Sequence, residues 1–166
     1  MATLTVSSRV QQAMADLLED QLPDDLPEAR TCTYLFEAEE PKSFRCPAIF
    51  VFDKGYTVVK RTNSGMNPDG TLVYGTEQRH YLLDLQVWMT GRQAHELRTT
   101  LRRWNDYIAA IVETNWTVGD YPVVAKVERG SEPVSMAQGS STYMIMEVQC
   151  VVDVWMARDA TTITAA

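Results

Sequence analysis

The chain has 166 residues, with 15 Lys and Arg against 22 Asp and Glu, for a formal net charge of -7. A chain of this length fits one domain over residues 1–166 and can bury about 70% of its unfolded surface, so its core needs no disulfide or metal. The acidic surplus argues against a protein that grips nucleic acid by neutralising phosphates, and 45% hydrophobic content with four Trp argues against disorder.

Residues 1–10 carry no basic region followed by an apolar core, so no secretory signal is expected. The longest apolar runs, Ala48–Phe52 and Ile108–Val112, are too short to span a membrane, and no membrane partner is expected. Cys32, Cys46 and Cys150 are odd in number and lack Cys-x-x-Cys spacing. They fit neither a disulfide framework nor a zinc site and read as small strand residues.

Ser7 or Ser8 is a candidate cap for a first helix, in which Val10, Met14, Leu17 and Leu18 share one face. Leu22-Pro23 is expected to stop that helix. Strand character follows from Thr31 to Val59. Asp53-Lys54-Gly55 reads as a tight turn between the strands Ala48–Phe52 and Tyr56–Val59. Residues 60–78 hold few core-type side chains and a turn signal at Asn67-Pro68-Asp69-Gly70. They are expected to form a protruding hairpin arm or loop, since long loops in compact domains are usually functional or disordered.

Tyr81, Leu83, Leu85, Val87 and Met89 alternate with Leu82, Asp84, Gln86 and Trp88, the period of a strand with one fully apolar face. Ala94, Leu97, Leu101, Trp104, Ile108 and Ile111 recur at spacings of three and four, which predicts an amphipathic helix of about 22 residues ending near Asn115. Val123–Glu128 reads as a short strand and residues 129–141 as a flexible polar stretch. Met144, Met146, Val148, Cys150, Val152, Val154 and Met156 share one face of a final strand, with Glu147, Gln149 and Asp153 on the other. The order of elements, without strand-helix-strand alternation, reads as α+β: an antiparallel sheet with an N-terminal helix and one long helix packed on one face, plus a long β-hairpin or loop arm.

Catalytic patterns do not emerge. His80 and His95 have no second ligand at metal spacing, and neither a nucleophile elbow nor a phosphate-cradling glycine loop occurs. No enzyme activity, cofactor or metal is expected. Arg98, Arg102 and Arg103 decorate the long helix, with positions 98 and 102 one turn apart. They read either as a solubilising face or as a surface for an acidic patch on a neighbouring copy, such as the first helix and its exit.

The layout resembles the tail terminator (tail completion) proteins of long-tailed bacteriophages. The likeness lies in a short N-terminal helix, a strand pair over Cys46–Lys60, a long polar loop over Arg61–Gln78, the strand His80–Met89, the helix Ala94–Val112 and the closing strand Tyr143–Trp155. The resemblance implies a structural virion protein, made in the host cytoplasm, that forms a homo-oligomeric, hexameric ring. That ring would cap the tail tube, end its polymerisation and join the tail to the neck or head-closure protein. Double-stranded DNA would pass through the lumen without specific binding. Met66, Asn67 and Asp69 are then expected at a subunit or tube interface, together with Arg98, Arg102 and Arg103. Glu37, Glu39 and Glu40 are expected at the lumen or rim. Residues 16–40 hold nine acids and one base, Arg30, and such carboxylates repel phosphates. Head-closure and tail tube proteins share parts of this layout. A small cytosolic enzyme or ligand-binding domain is the alternative from another class.

Overall fold

A computed structural model describes residues 6–36, 44–73, 75–114, 116–118, 121–138 and 141–157. Helix α1 (Val6–Asp25) leads into a 3-10 turn (Pro27–Thr31) and strands β1 (Thr33–Phe36) and β2 (Ala48–Arg61). Two short strands, β3 (Gly65–Met66) and β4 (Leu72–Val73), precede β5 (Thr76–Met89) and helix α2 (Ala94–Val112). Strands β6 (Trp116–Val118), β7 (Tyr121–Gly130), β8 (Val134–Gln138) and β9 (Ser141–Ala157) complete the chain. The fold is α+β, with a seven-stranded sheet in the order β1-β2-β5-β9-β7-β6 and β8 also paired to β9.

Both helices pack on one face of the sheet. From α1, Val10, Met14, Leu18 and Leu22 are fully buried at four-residue spacing, and α2 supplies Leu101, Trp104, Ile108 and Val112. They meet the alternating residues Tyr81 to Met89 of β5 and Met144 to Met156 of β9, which are buried throughout, as their period of two predicts. Each large apolar side chain so buried contributes about 1.5–3 kcal/mol, largely offset by chain entropy. Strands β5 and β9 pair over fourteen residues from Thr76↔Ala157 to Met89↔Met144, which makes them the spine of the sheet. No described helix is long and apolar enough to cross a membrane.

Several local expectations are corrected. Ser7 and Ser8 lie inside α1, which has begun by Val6. Pro23 does not end it: the helix continues to Asp25 and closes with a Leu26 N–H to Leu22 carbonyl bond of 2.9 Å. A helical proline costs about 3 kcal/mol, but Leu22 and Leu26, both buried, together regain about that much or more. Helix α2 spans 19 residues, and its first residue, Ala94, is exposed.

Asp53-Lys54-Gly55 is a bulge and not a reversal. The ladder with β5 shifts register between Asp53 and Tyr56, then resumes at Tyr56↔Tyr81. Gly55 takes φ +92, and its N–H donates to Asp53 Oδ1 at 2.7 Å. The turn residues are thus satisfied within a strand that the long partner β5 keeps extended. The sheet is also mixed, because β1 runs parallel to β2 from Thr33↔Ala48 to Phe36↔Val51. The strand read at Val123–Glu128 extends over Tyr121–Gly130, and the stretch after it contains β8, which pairs back on β9.

Strands β2 and β5 form one long hairpin whose end is the expected arm. Thr62 and Thr76 close its base, with the Thr62 N–H donating to the Thr76 carbonyl at 2.8 Å. A Cβ at Gly75 would lie 2.1 Å from the Thr62 carbonyl oxygen, so only glycine fits this crossing. Beyond it, β3 and β4 pair at Gly65↔Val73 and Met66↔Leu72.

Candidate interaction surface

The arm tip is the turn that its sequence predicts. The Gly70 N–H donates to the Asn67 carbonyl at 2.9 Å, and the Asn67 N–H to the Thr71 carbonyl at 2.9 Å. Asp69 Oδ1 accepts the Thr71 N–H at 2.8 Å. Hydrogen bonds from the Thr71 side chain and backbone hold the Asp69 carboxyl below the ordinary carboxylate range. Asn67 and Asp69 therefore shape the tip, while Met66 is its apolar projection at 72% exposure.

The three arginines of α2 lie elsewhere, and two of them are engaged within the chain. Arg102 Nη2 lies 2.7 Å from Glu132 Oε2, and Arg103 pairs with Glu28 in the turn after α1. Arg98 is exposed and has no ion-pair partner among the described residues. The structure thus does not bring Arg98, Arg102 and Arg103 to Met66, Asn67 and Asp69. Glu37, Glu39 and Glu40 lie outside the described residues.

Among the described residues, the large apolar side chains that stand exposed fall into two groups. Tyr56, Val59, Met66 and Val73 belong to the β2–β5 hairpin. Val124, Val134 and Met136 belong to β7 and β8, on the far side of β9. Only Met66 was singled out by the sequence. The signal for some of the others was present: Val124 falls between Val123 and Ala125, which are buried, so it must face away from the helices.

The sheet face opposite the helices carries an aromatic group at one end. Phe44 meets Phe50 edge-on at 5.1 Å and Trp88 at 5.4 Å, and stacks on Tyr143 at 5.5 Å. Farther along this face, polar residues follow. Gln86 donates to Glu147 Oε1 at 2.7 Å, and His80 Nε2 lies 2.5 Å from Asp153 Oδ1. Asp84 is buried with Lys54 3.4 Å from Oδ2. A cleft of about 90 Å³ is lined by Arg129, Ser131, Glu147 and Gln149.

No group of three or more potential metal ligands occurs among the described residues. Burial pushes the Cys32 and Cys150 thiols up to about 12, and that of Cys46 also upward, which suits inert side chains better than nucleophiles. The Cys150 thiol donates to the Leu83 carbonyl at 3.7 Å, inside the sheet. No protein-family model and no curated protein matches the chain.

Proposed function

We propose that the protein is a structural virion component: a ring-forming subunit, in the manner of a phage tail terminator, that caps the tail tube, ends its polymerisation and joins the tail to the neck. The observation that carries this reading is the β2–β5 arm. It is an ordered hairpin whose end is exposed and bears apolar groups, Met66 and Val73, that serve no core of their own chain. Exposed apolar surface on a rigid projection suits a contact with another protein. The arrangement of an N-terminal helix, a long hairpin, a central helix and a closing strand on one sheet supports the same reading.

The charge distribution fits a subunit that surrounds DNA without gripping it. Asp16, Glu19, Asp20 and Asp24 stand exposed on α1, and excess carboxylate repels phosphates. Six copies in a ring with DNA passing through would need this kind of surface at the lumen.

A polymerisation assay tests the reading. Tail tube protein grown with increasing amounts of this chain should give progressively shorter tubes that no longer elongate when fresh tube protein is added. Tubes that grow unchanged would overturn it, and self-polymerisation into unlimited tubes would make the chain a tube protein instead.

A further inference from the structure

We infer that Cys32 and Cys46 form a redox-sensitive pair, open in reducing surroundings and closed by a disulfide bond in oxidising ones, which clamps the edge strand β1 to β2. The inference goes beyond the proposed function and does not rest on it. Spacing along the chain gives no sign of the pair, but the sheet brings the two residues together. Strand β1 runs parallel to β2 from Thr33↔Ala48, and the Thr33 N–H donates to the Pro47 carbonyl at 3.0 Å. Cys32 directly precedes Thr33, and Cys46 directly precedes Pro47. The backbone at Cys32 is already extended, with φ -67 and ψ 141, so it prolongs β1 backwards beside Pro47. Adjacent strands lie about 4.8 Å apart and rise about 3.3 Å per residue, which puts a diagonal neighbour about 6 Å away between Cα atoms. Disulfide bonds span roughly 4.4–6.8 Å between Cα atoms.

The surroundings agree. Both side chains are half-buried. Burial is the largest cause that raises the Cys32 thiol to about 12, and the Cys46 sulfur adds to it, as a charge close by does. Cys150 cannot take either place, since it is fully buried on β9, which β5 separates from β2. The oxidant is a small disulfide such as oxidised glutathione. Cys46 is the less deeply buried thiol and reacts first. It gives its proton to water, and its thiolate attacks one sulfur of the oxidant. That S–S bond breaks, and the departing glutathione thiolate takes up a proton. The Cys32 thiolate then attacks the Cys46 sulfur of the mixed disulfide and releases the second glutathione. Two protein thiols are oxidised and one small disulfide is reduced to two thiols. Burial keeps both protein thiols protonated at neutral pH, so closure is slow there and speeds up as the pH rises. The closed bond encloses residues 33–45 and restrains the unfolded chain, which stabilises the fold.

Mass spectrometry of the full chain tests the pair. After incubation with oxidised glutathione at about pH 8.5, near the ordinary thiol range, the chain should lose the mass of two hydrogens. Iodoacetamide in urea should then label Cys150 alone. Trypsin cuts after Arg30, Lys42, Arg45 and Lys54, so residues 31–42 and 46–54 should be recovered as one linked pair that dithiothreitol separates. Cys32→Ser should stop at the glutathione adduct on Cys46. Three labelled thiols in the oxidised wild type, a lasting glutathione adduct in place of the bond, or a bond between two copies overturns the inference. The thermal midpoint gives a second readout, and closure should raise it by about 5 °C or more. Dithiothreitol should abolish that rise, and Cys46→Ser should not show it. Equal midpoints for the closed and open forms would overturn the clamp.

Discussion

Arg103, on α2, forms an ion pair with Glu28, in the turn that follows α1. The exit of the first helix therefore meets one arginine of the second helix inside one chain, where the sequence had suggested a meeting between copies. Both side chains are about half exposed, at 54% and 39%. Exposed pairs of this kind are worth at most about 1 kcal/mol. A double-mutant cycle with Arg103→Ala and Glu28→Ala should give a coupling energy below that value by urea denaturation. Several kcal/mol of coupling would show that the pair holds α2 on the fold and does not merely orient it.

Trp104, the next residue of the same helix, is fully buried. Trp104→Ala leaves a cavity between α2 and the sheet and should cost about 3–5 kcal/mol. Chemical denaturation measures this directly, and a neutral result would contradict the buried placement of that face.

Gln11 donates its side-chain amide to the Val51 carbonyl at 3.1 Å, a buried bond that ties α1 to β2. Gln11→Leu removes the donor and strands that contact without much change in volume. The expected loss is about 1–3 kcal/mol, the penalty for a buried acceptor left without its partner. Equilibrium unfolding of the variant checks it.

Stability should fall at alkaline pH. Burial raises the Cys32 and Cys150 thiols from an ordinary 9.0 to about 12, so between those values the unfolded chain releases protons that the folded chain keeps. The stabilisation is complete below pH 9 and is lost as pH rises toward 12, at up to about 1.4 kcal/mol per pH unit for each thiol. Urea midpoints measured from pH 8 to pH 11 should decline, and Cys150→Ala should flatten the decline.

Removing Thr62–Thr76, with a short turn joining β2 to β5, should leave the thermal transition within a few degrees of the wild type. None of the described residues of that segment belongs to the buried cluster shared by the helices and sheet. The same variant should fail to join tail tubes in a pull-down with tube protein. Retention on tubes would remove the arm from the interface.

The sequence disclosed the elements whose signals repeat. Strands β5 and β9 and helix α2 each carry five or more apolar side chains at one period, and repetition overrides local noise. It misled at single residues. Pro23 and the Asp53–Gly55 step are strong local signals, yet burial of Leu22 and Leu26 and the continuous β5 ladder outweigh them. The parallel pairing of β1 was illegible because four residues carry no mark of strand direction. The interaction surface was half visible: Met66 stood out in a polar loop, but the exposure of Val59 and Val134 depends on where the sheet ends, which no local pattern encodes.

The proposed ring on the end of a tail tube can be imaged. Electron microscopy of purified tubes incubated with the protein, with a gold label on the β3–β4 tip, tests it most directly. Rings confined to one tube end, with a sixfold view down the axis, are the predicted result. Unoccupied ends with the protein left as free monomers, or protein coating tubes along their length, would contradict it.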